Sequence, residues 1–300
     1  MSSPVFLIDA SIYIFRAYFA IPDEWHTKEG MPVNALYGYA QFMLKFLQAA
    51  KPEQLVVAYD ESLGSCFRND IYPDYKVSRA LPDDTLAFQL QACKAFTEAL
   101  GITSLADARY EADDIIATLA TQAQQRQQAI SIVSRDKDLG QLLLNEHDCL
   151  WDFAADKKNY QQQLYEHFLV RPDQLLDYLA LLGDSVDDIP GVPGIGKKTA
   201  ANLLRQFGSI ENLFNDLDAV AQCGLRGAKS IALKLQHYRQ QISMAQALVR
   251  LETAIPHLLD FDTTMLEWSP PPVSHVNNFF ADYSLEKRFK SQLSRCYWWQ

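Results

Sequence analysis

Three short apolar runs, rich in β-branched residues, set the fold class of this chain. They lie at residues 5–8, 55–59 and 129–133, and their length and composition predict buried strands. The segments between them have apolar residues at helical spacing, most clearly over residues 36–47 and just after Glu111. Alternating strands and helices of this kind predict an α/β fold with a parallel central sheet flanked by helices.

The strand signals stop near residue 172, and the rest of the chain has helical patterns and turns. Helices are predicted over residues 174–182, 199–207 and 227–250, and we assign them to a second, helical domain. Three prolines at 270–272 precede an aromatic-rich segment that we expect to pack back onto the body. The predicted division of the chain is residues 1–172, 173–250 and 251–300.

Net charge and cysteine usage limit the class of protein. The formal net charge of -10, taken alone, argues against a nucleic-acid partner. Binding depends, however, on where the lysines and arginines lie. Five scattered cysteines without CxxC spacing indicate reduced thiols rather than a zinc site or a disulfide framework. The apolar N-terminal stretch contains Asp9 and Arg16 and lacks a basic leader. We therefore expect a cytoplasmic protein that does not contact a membrane.

Acidic residues follow each predicted strand. Asp9 comes directly after the first strand, Asp60 after the second, and Asp136 and Asp138 after the third. In a parallel sheet these positions lie at one edge, the carboxyl ends of the strands, where open α/β folds bind ligands. Four carboxylates are therefore expected to converge.

Five more acids occur in two short clusters. Glu111, Asp113 and Asp114 begin a predicted helix, where acids can simply complement the helix dipole. Asp184 and Asp187 precede the second domain's turn, where an N-cap is an equally good explanation.

The nine acids together make a stronger prediction than any one of them. If they share a cleft, each like-charged pair near 4 Å costs about 1 kcal/mol in water and about 4 kcal/mol at an effective dielectric of 20. Cations must then be present, and oxygen-only ligands favour Mg²⁺ or Mn²⁺ over zinc. Two such ions suit phosphodiester hydrolysis, which makes a nucleic acid the predicted substrate.

Basic and aromatic residues are mixed over residues 65–84. Arg68, Lys76 and Arg79 lie among aromatic residues that include Tyr75. This mixture is typical of a surface that holds a nucleic-acid strand through phosphate contacts and base stacking. An ordinary solvated helix with a few core aromatics remains the alternative.

A glycine-rich turn followed by two lysines predicts a second anion-binding element. The turn contains Gly191, Val192, Gly194, Ile195 and Gly196, and Lys197 and Lys198 begin the next helix. Backbone N–H groups and a helix N-terminus can hold a phosphate there. The same residues match GxxxxGK of a nucleotide-binding loop, but a lysine occupies the Ser/Thr position and an acidic turn replaces the preceding strand. We therefore disfavour an NTPase.

In these motifs the chain resembles the 5′ nuclease superfamily of flap endonucleases and 5′-3′ exonucleases, and in particular the 5′ nuclease domain of bacterial DNA polymerase I. The resemblance covers roughly residues 4–290 and no polymerase segment follows, so we expect a stand-alone enzyme. It is carried by FLIDASIYIFRAY, VAYDESLGSCFR, YPDYKVSR, YEADDIIATLA, SRDKDLGQLL and LALLGDSVDDIPGVPGIGKKTA.

The resemblance implies a PIN-like 5′ nuclease fold with a helical arch near residues 62–92 and a C-terminal helix-hairpin-helix, the helix-three-turn-helix. It assigns two Mg²⁺ or Mn²⁺ ions, a strand-steering role for the arch, and duplex binding plus a potassium ion for the hairpin. The ligands of the first ion would be Asp9, Asp60, Glu111, Asp113 and Asp114, and those of the second ion would be Asp136, Asp138, Asp184 and Asp187. The arch would contribute Arg68, Tyr75, Lys76 and Arg79. Lys197 and Lys198 would bind the duplex.

Three positions depart from the usual family pattern. Asp188 stands where asparagine is usual, Ala10 replaces a common glycine, and Arg135 replaces a small or acidic residue. We expect a monomeric 5′ nuclease that acts on DNA with 5′ ends, flaps or branches. The alternative is a structure-specific DNA-binding protein with weak or no catalysis, and a PIN-like ribonuclease is disfavoured by the hairpin domain.

Overall fold

The computed structural model describes residues 3–299, and its centre is a six-stranded sheet. The strands of this sheet are β1 (Val5–Asp9), β2 (Gln54–Asp60), β3 (Thr103–Asp107), β4 (Ile130–Val133), β5 (Cys149–Asp152) and β6 (Lys157–Asn159). Their order is β3-β2-β1-β4-β5-β6, with β1 to β5 parallel and β6 antiparallel to β5. This is the α/β class predicted from the sequence.

The three predicted strands are present as β1, β2 and β4, but three others were missed. Every residue of β3 is half-buried, and β6 consists of two lysines and an asparagine. Such strands have no apolar pattern of their own, because they are held by backbone pairing to a neighbouring strand.

Helices surround the sheet and form most of the second half of the chain. In order they are α1 (Ala10–Ala20), α2 (Asn34–Ala50), α3 (Phe67–Ile71), α4 (Asp84–Ala99), α5 (Ala112–Gln125), α6 (Gln161–Phe168), α7 (Pro172–Leu182), α8 (Lys197–Phe207), α9 (Ile210–Asn215), α10 (Leu217–Ala221), α11 (Ala228–His237), α12 (Arg239–Val249), α13 (Val273–Asp282) and α14 (Glu286–Leu293). The helix predicted over 227–250 is two helices that meet at Tyr238, because α11 packs on α10 whereas α12 packs on α7.

Alternating side chains of the central strand enter two different cores. Val5 and Leu7 face a core built with α5, α7, α8, α11 and α12. Phe6 and Ile8 face the other core, which α1, α2, α4, α13 and α14 complete. The sheet therefore carries helices on both faces, and the C-terminal segment packs against one of them.

The predicted helical arch, residues 62–92, is helical only at its two ends. We call residues 72–83, between α3 and α4, the arch segment; it is a series of turns. Pro73 follows the end of α3 and Pro82 precedes the start of α4, and proline interrupts helices at such places. Within the arch segment, Lys76 has left-handed backbone geometry with φ of 54°.

A small hairpin connects α7 to α8. It consists of β7 (Gly183–Asp184) and β8 (Ile189–Pro190), which pair antiparallel between α7 and α8. Gly191 must be glycine here, since a Cβ would lie 1.9 Å from the carbonyl oxygen of Leu182. Over residues 3–299, no helix is both long enough and apolar enough to cross a membrane.

Candidate metal and nucleic-acid site

Carboxylates from neighbouring parallel strands meet at one edge of the sheet. Asp9 is the last residue of β1, Asp60 is the last residue of β2, and Asp136 closely follows β4. Serine hydroxyls orient two of these side chains, because Ser134 donates to Asp9 at 2.9 Å and Ser62 donates to Asp60 at 2.9 Å. The convergence predicted from strand ends is therefore observed.

Burial and repulsion disfavour ionisation of two carboxylates, those of Asp9 and Asp113. Burial raises the pKa of Asp9 to about 6, and the carboxylates of Asp136 and Asp60 add to the effect. Burial also raises the pKa of Asp113, at the start of α5, with repulsion from Asp136 and Asp9. Among residues 3–299, no lysine or arginine forms a salt bridge with these four acids. We call Asp9, Asp60, Asp113 and Asp136 the inner set.

The raised pKa values predict an unusual pH dependence of stability. Asp9 titrates near 3.8 when unfolded but at about 6 when folded, and the pKa of Asp138 is raised by burial to about 7. The folded protein thus binds more protons than the unfolded chain between about pH 4 and 7, so its free energy of unfolding falls as pH rises through that window. Without metal, melting temperature should decrease from about pH 5 to about pH 7, and Asp9→Asn should flatten the decrease.

Differential scanning fluorimetry in EDTA checks this expectation. Glu111 and Asp184 do not interfere, because their lowered pKa values change stability below the tested window. A melting temperature that climbs steadily with pH in EDTA would contradict the assignment.

Two predicted site residues form a buried ion pair instead. Arg68 is 2% exposed, and its guanidinium contacts both carboxylate oxygens of Asp114 at 2.7 Å. Arg68 also donates to the carbonyls of Leu248 and Arg250, at 2.7 and 2.8 Å. Asp114 in turn accepts from the backbone N–H of Glu252 at 2.9 Å. Arg68 and Asp114 are therefore paired inside the protein, and the assignments of Arg68 to the DNA strand and of Asp114 to a metal stay predictions.

Tyr75 and Lys76 both reach inward to Glu111. The Tyr75 hydroxyl donates to Glu111 at 2.9 Å, and the ring is 4% exposed, so its contact with DNA stays a prediction. Lys76 is 9% exposed and donates to the other oxygen of Glu111. Burial opposes ionisation of Glu111, but Lys76 and Arg68 outweigh it and hold its pKa below the usual range. Glu111 therefore positions Lys76 beside the inner set.

The remaining acids come from the small hairpin and from the turn after β4. Asp138 lies two residues after Asp136, and Asp184 and Asp187 belong to the hairpin between α7 and α8. We call Asp138, Asp184 and Asp187 the hairpin set. Repulsion from Asp136 adds to burial in raising the pKa of Asp138. The two sets therefore adjoin each other through Asp136.

Unlike the inner set, the hairpin set is paired with cations. Lys137 lies 2.5 Å from Asp184 and 3.5 Å from Asp138. Arg79 forms a salt bridge with Asp187, and Lys76 lies 3.9 Å from the same side chain. Arg79 thus lies at the site as predicted, although its guanidinium contacts a carboxylate.

The arch segment is attached to the hairpin through Asp188, one of the three departures from the family pattern. Asp188 accepts from the N–H of Ser78 at 2.9 Å and from its hydroxyl at 2.7 Å. The N–H of Lys76 donates to the carbonyl of Asp187 at 3.1 Å. Asp188 has φ of 56°, a left-handed conformation that asparagine and aspartate tolerate best among non-glycine residues. Of the other departures, Arg135 pairs with Asp152 at 3.1 Å.

The donor atoms fit a hard divalent cation. Over residues 3–299, no three acidic, histidine or cysteine side chains are already gathered closely enough to hold one ion. The acids of the inner set repel one another, and those of the hairpin set form salt bridges. All the candidate donors are carboxylate oxygens, and the buried Oδ1 of Asp138 accepts no hydrogen bond. Such oxygens are the ligands that Mg²⁺ and Mn²⁺ prefer.

The glycine-rich turn presents two exposed lysines at a helix N-terminus. Lys197 and Lys198 begin α8 and are exposed, as predicted for an anion-binding element. Val192 and Ile195 are buried at 3% and 4%, so only their backbone can contact a ligand. Gly194 and Gly196 form the exposed surface of the turn, whereas Gly191 is half-buried.

Sequence reasoning missed several residues of this site. Lys234 of α11 lies so close to Gly194 that a side chain added to the glycine would collide with its ammonium group. Ser62 and Ser134 orient the inner set, and Lys137 lies within the hairpin set. Lys137 could have been found from its position between Asp136 and Asp138. Nothing in the sequence signals Lys234, because only packing brings α11 beside the turn.

Two family models match the chain. The N-terminal resolvase-like domain of 5′-3′ exonucleases matches residues 4–169. The C-terminal SAM fold of 5′-3′ exonucleases matches residues 170–273. Together they cover both the sheet and the helices that follow it.

Similar proteins include enzymes of two lengths. The DNA polymerase I of Rhizobium leguminosarum is 36% identical over 271 residues, covering 88% of this chain but only 26% of the polymerase. The 5′-3′ exonuclease of Buchnera aphidicola subsp. Schizaphis graminum is 32% identical over 253 residues, covering 84% of this chain and 88% of the exonuclease. The chain thus spans about a quarter of the polymerase and most of the exonuclease.

Solved structures share the fold at low sequence identity. A T5 5′-exonuclease with bound zinc ions has a TM-score of 0.68 at 19% identity, with 97% of this chain and 98% of the other covered. The catalytic core of Rad2 in complex with DNA has a TM-score of 0.66 at 16% identity, with 98% and 92% covered. Both comparisons concern the architecture of the molecule.

Proposed function

Because this chain belongs to the 5′-3′ exonuclease family, we propose that it hydrolyses phosphodiester bonds of DNA at 5′ ends and 5′ flaps with two Mg²⁺ or Mn²⁺ ions. The observation that carries the proposal is the inner set: four carboxylates, from the edge of the sheet and the start of α5, that form no salt bridge with a lysine or arginine among residues 3–299. An ionised group of this kind requires a bound cation. DNA bound to the Rad2 core and divalent ions bound to the T5 exonuclease support the same substrate and cofactor here.

The inner and hairpin sets would hold the two ions. Asp9, Asp60 and Asp113 would hold the first ion, and Asp136, Asp138, Asp184 and Asp187 would hold the second. Two such ions supply an activated water and stabilise negative charge on the phosphate. The ligands of the first ion would come from the sheet and the start of α5. The hairpin would complete the ligands of the second ion.

Lys76 would bind the phosphate in the proposed chemistry. Glu111 holds its ammonium group beside the inner set, and Tyr75 fixes Glu111 from the other side. A buried ammonium in this position can bind a phosphate oxygen and offset the charge that develops on it. Arg79, 39% exposed at the edge of the site, can contact the next phosphate along the strand.

We propose that the glycine-rich turn holds duplex DNA by its backbone. The exposed N–H groups at the start of α8, together with Lys197, Lys198 and Lys234, offer positive charge without reading bases. Two carbonyls of the turn, those of Gly191 and Val192, already accept hydrogen bonds from Gln241 and Ile195. A potassium ion at this turn stays a prediction. The division into residues 1–172, 173–250 and 251–300 and the monomeric state also stay predictions.

Removing the lysines of the turn should weaken DNA binding and its salt dependence. Each phosphate contact contributes about 0.9 to the slope of log affinity against log salt for duplex DNA. Lys197→Ala and Lys198→Ala should each lower that slope by about 1, measured by fluorescence anisotropy with a duplex across a salt series. Lys158→Ala, on the edge strand β6, is the matched control and should leave the slope unchanged. Equal slopes in all variants would contradict the role of the turn.

The decisive experiment is cleavage of a 5′-labelled flap duplex. The protein is incubated with Mg²⁺, with Mn²⁺ and with EDTA, and the products are sized. Cleavage near the flap base that EDTA abolishes supports a two-metal 5′ nuclease. A substrate that stays intact but shifts in a gel would overturn it and favour the DNA-binding alternative, which the cation-paired hairpin set would then explain.

A further inference from the structure

Positive charge is distributed very unevenly around the two sets of acids. Within residues 3–299, the inner set forms no salt bridge, whereas every member of the hairpin set lies within 4 Å of a lysine or arginine. Two of those cations, Lys76 and Arg79, come from the arch segment. The third, Lys137, comes from the sheet domain itself and lies between two of the acids along the chain.

Lys137 bridges acids from the two halves of the molecule. Its ammonium group is 2.5 Å from Oδ2 of Asp184, on the hairpin, and 3.5 Å from Oδ1 of Asp138, in the turn after β4. That Oδ1 atom is buried and accepts no hydrogen bond. An ion that bound Asp138 and Asp184 together would have to lie between them, and the ammonium group already lies there.

The surroundings of Lys137 stabilise its positive charge and allow its side chain to move into solvent. The carboxylates of Asp138 and Asp184, at 3.5 and 2.5 Å, stabilise the charge of its ammonium group. The side chain is 45% exposed, and its flexible stem can move the ammonium group into solvent without disturbing the core. Lys76, by contrast, is 9% exposed and is held by Glu111.

We propose that Lys137 is a built-in cation that occupies the second metal position and must leave it before a second ion binds. The proposal rests on the two-metal function proposed above and concerns the filling of one of its sites. Without the ion, Lys137 neutralises Asp138 and Asp184 and keeps the hairpin beside the sheet. With the ion, both carboxylates exchange one ammonium partner for a divalent one, so the second ion binds in competition with Lys137.

Mn²⁺ binding without DNA tests the proposal independently of catalysis. Isothermal titration calorimetry and electron paramagnetic resonance would count the ions bound by the wild type, Lys137→Met and Lys137→Arg. Methionine keeps the length of the side chain and removes the charge, so the second ion should bind at least about tenfold more tightly while the first is unchanged. Arginine keeps the charge and should give no tightening. Lys158→Met is the control for loss of a distant positive charge.

The outcomes separate this inference from the proposed function. Two ions bound by the wild type, with no tightening of the second in Lys137→Met, would overturn the role of Lys137 and leave the two-metal function in place. No Mn²⁺ bound by the wild type would overturn both. In EDTA, Lys137→Met should melt at a lower temperature than the wild type, because Asp138 and Asp184 lose their shared partner, and saturating Mn²⁺ should remove that difference. A lower melting temperature that persists in saturating Mn²⁺ would indicate a purely structural lysine.

Discussion

Replacing Asp113 with asparagine should reduce turnover of a 5′-flap substrate by about 10²- to 10³-fold or more. Metal-ion catalysis supplies several kcal/mol of charge stabilisation, and each 1.36 kcal/mol corresponds to a factor of ten in rate. Asp113 has a carboxylate whose pKa is raised by burial and by its acidic neighbours, so it is among the acids most in need of a cation. Turnover is measured from single-turnover cleavage at saturating Mg²⁺.

The same variant should keep its fold and its affinity for DNA. Asparagine has the shape of the protonated acid, so Asp113→Asn relieves repulsion in EDTA and should not lower the melting temperature. Branched-DNA binding, measured by anisotropy without metal, should stay within about twofold because the turn at α8 is untouched. Asp260→Asn, an exposed substitution away from the site, is the control and should cleave at the wild-type rate. A wild-type rate from Asp113→Asn would contradict the assignment of the inner set.

Replacing Arg68 with methionine should destabilise the protein by about 3–5 kcal/mol, because it leaves the charge of Asp114 buried without its partner. Asp114 is 0% exposed, and the same substitution removes the donor that the carbonyls of Leu248 and Arg250 share. These contacts join α3, the start of α5 and the end of α12, so the loss should loosen the junction between the sheet and the helical domain. The free energy of unfolding is obtained from urea denaturation.

An exposed salt bridge provides the matched control. Arg109 pairs with Asp70 at 2.5 Å, but the two side chains are 53% and 67% exposed. Arg109→Met should therefore lower the free energy of unfolding far less than Arg68→Met does. Adding Asp114→Asn to Arg68→Met should recover part of the lost stability, because it removes the buried charge. Equal losses from Arg68→Met and Arg109→Met would show that the buried pair has no special structural role.

The predicted basic residues show what a local sequence pattern does not determine. Arg68, Tyr75 and Lys76 were grouped because positive and aromatic residues alternate near Asp60. Two of them are core residues that bind Glu111 or Asp114, and Lys76 is nearly buried. A sequence shows that a charge exists but not whether an opposite charge 40 residues away will be packed against it.

The acids divide in a similar way. Asp9 and Asp60 were predicted correctly to converge, because the carboxyl ends of adjacent parallel strands share one edge of a sheet. Asp114, one turn from Glu111, was assigned to a metal by the resemblance to the family. The spacing places it on the same face of α5, but its neighbours on that face are Arg68 and the N–H of Glu252.

The sequence by itself determined the order of the main elements, the edge of the sheet at which Asp9, Asp60 and Asp136 meet, and the family, because strand periodicity and local motifs act over a few residues. Tertiary structure alone decided which carboxylates keep no positive partner and which are already paired. Lys137 reaches Asp184, Arg79 reaches Asp187 and Lys234 reaches Gly194 across long stretches of chain. Electrostatic energies depend on distance and burial, and both are set only when distant segments pack together.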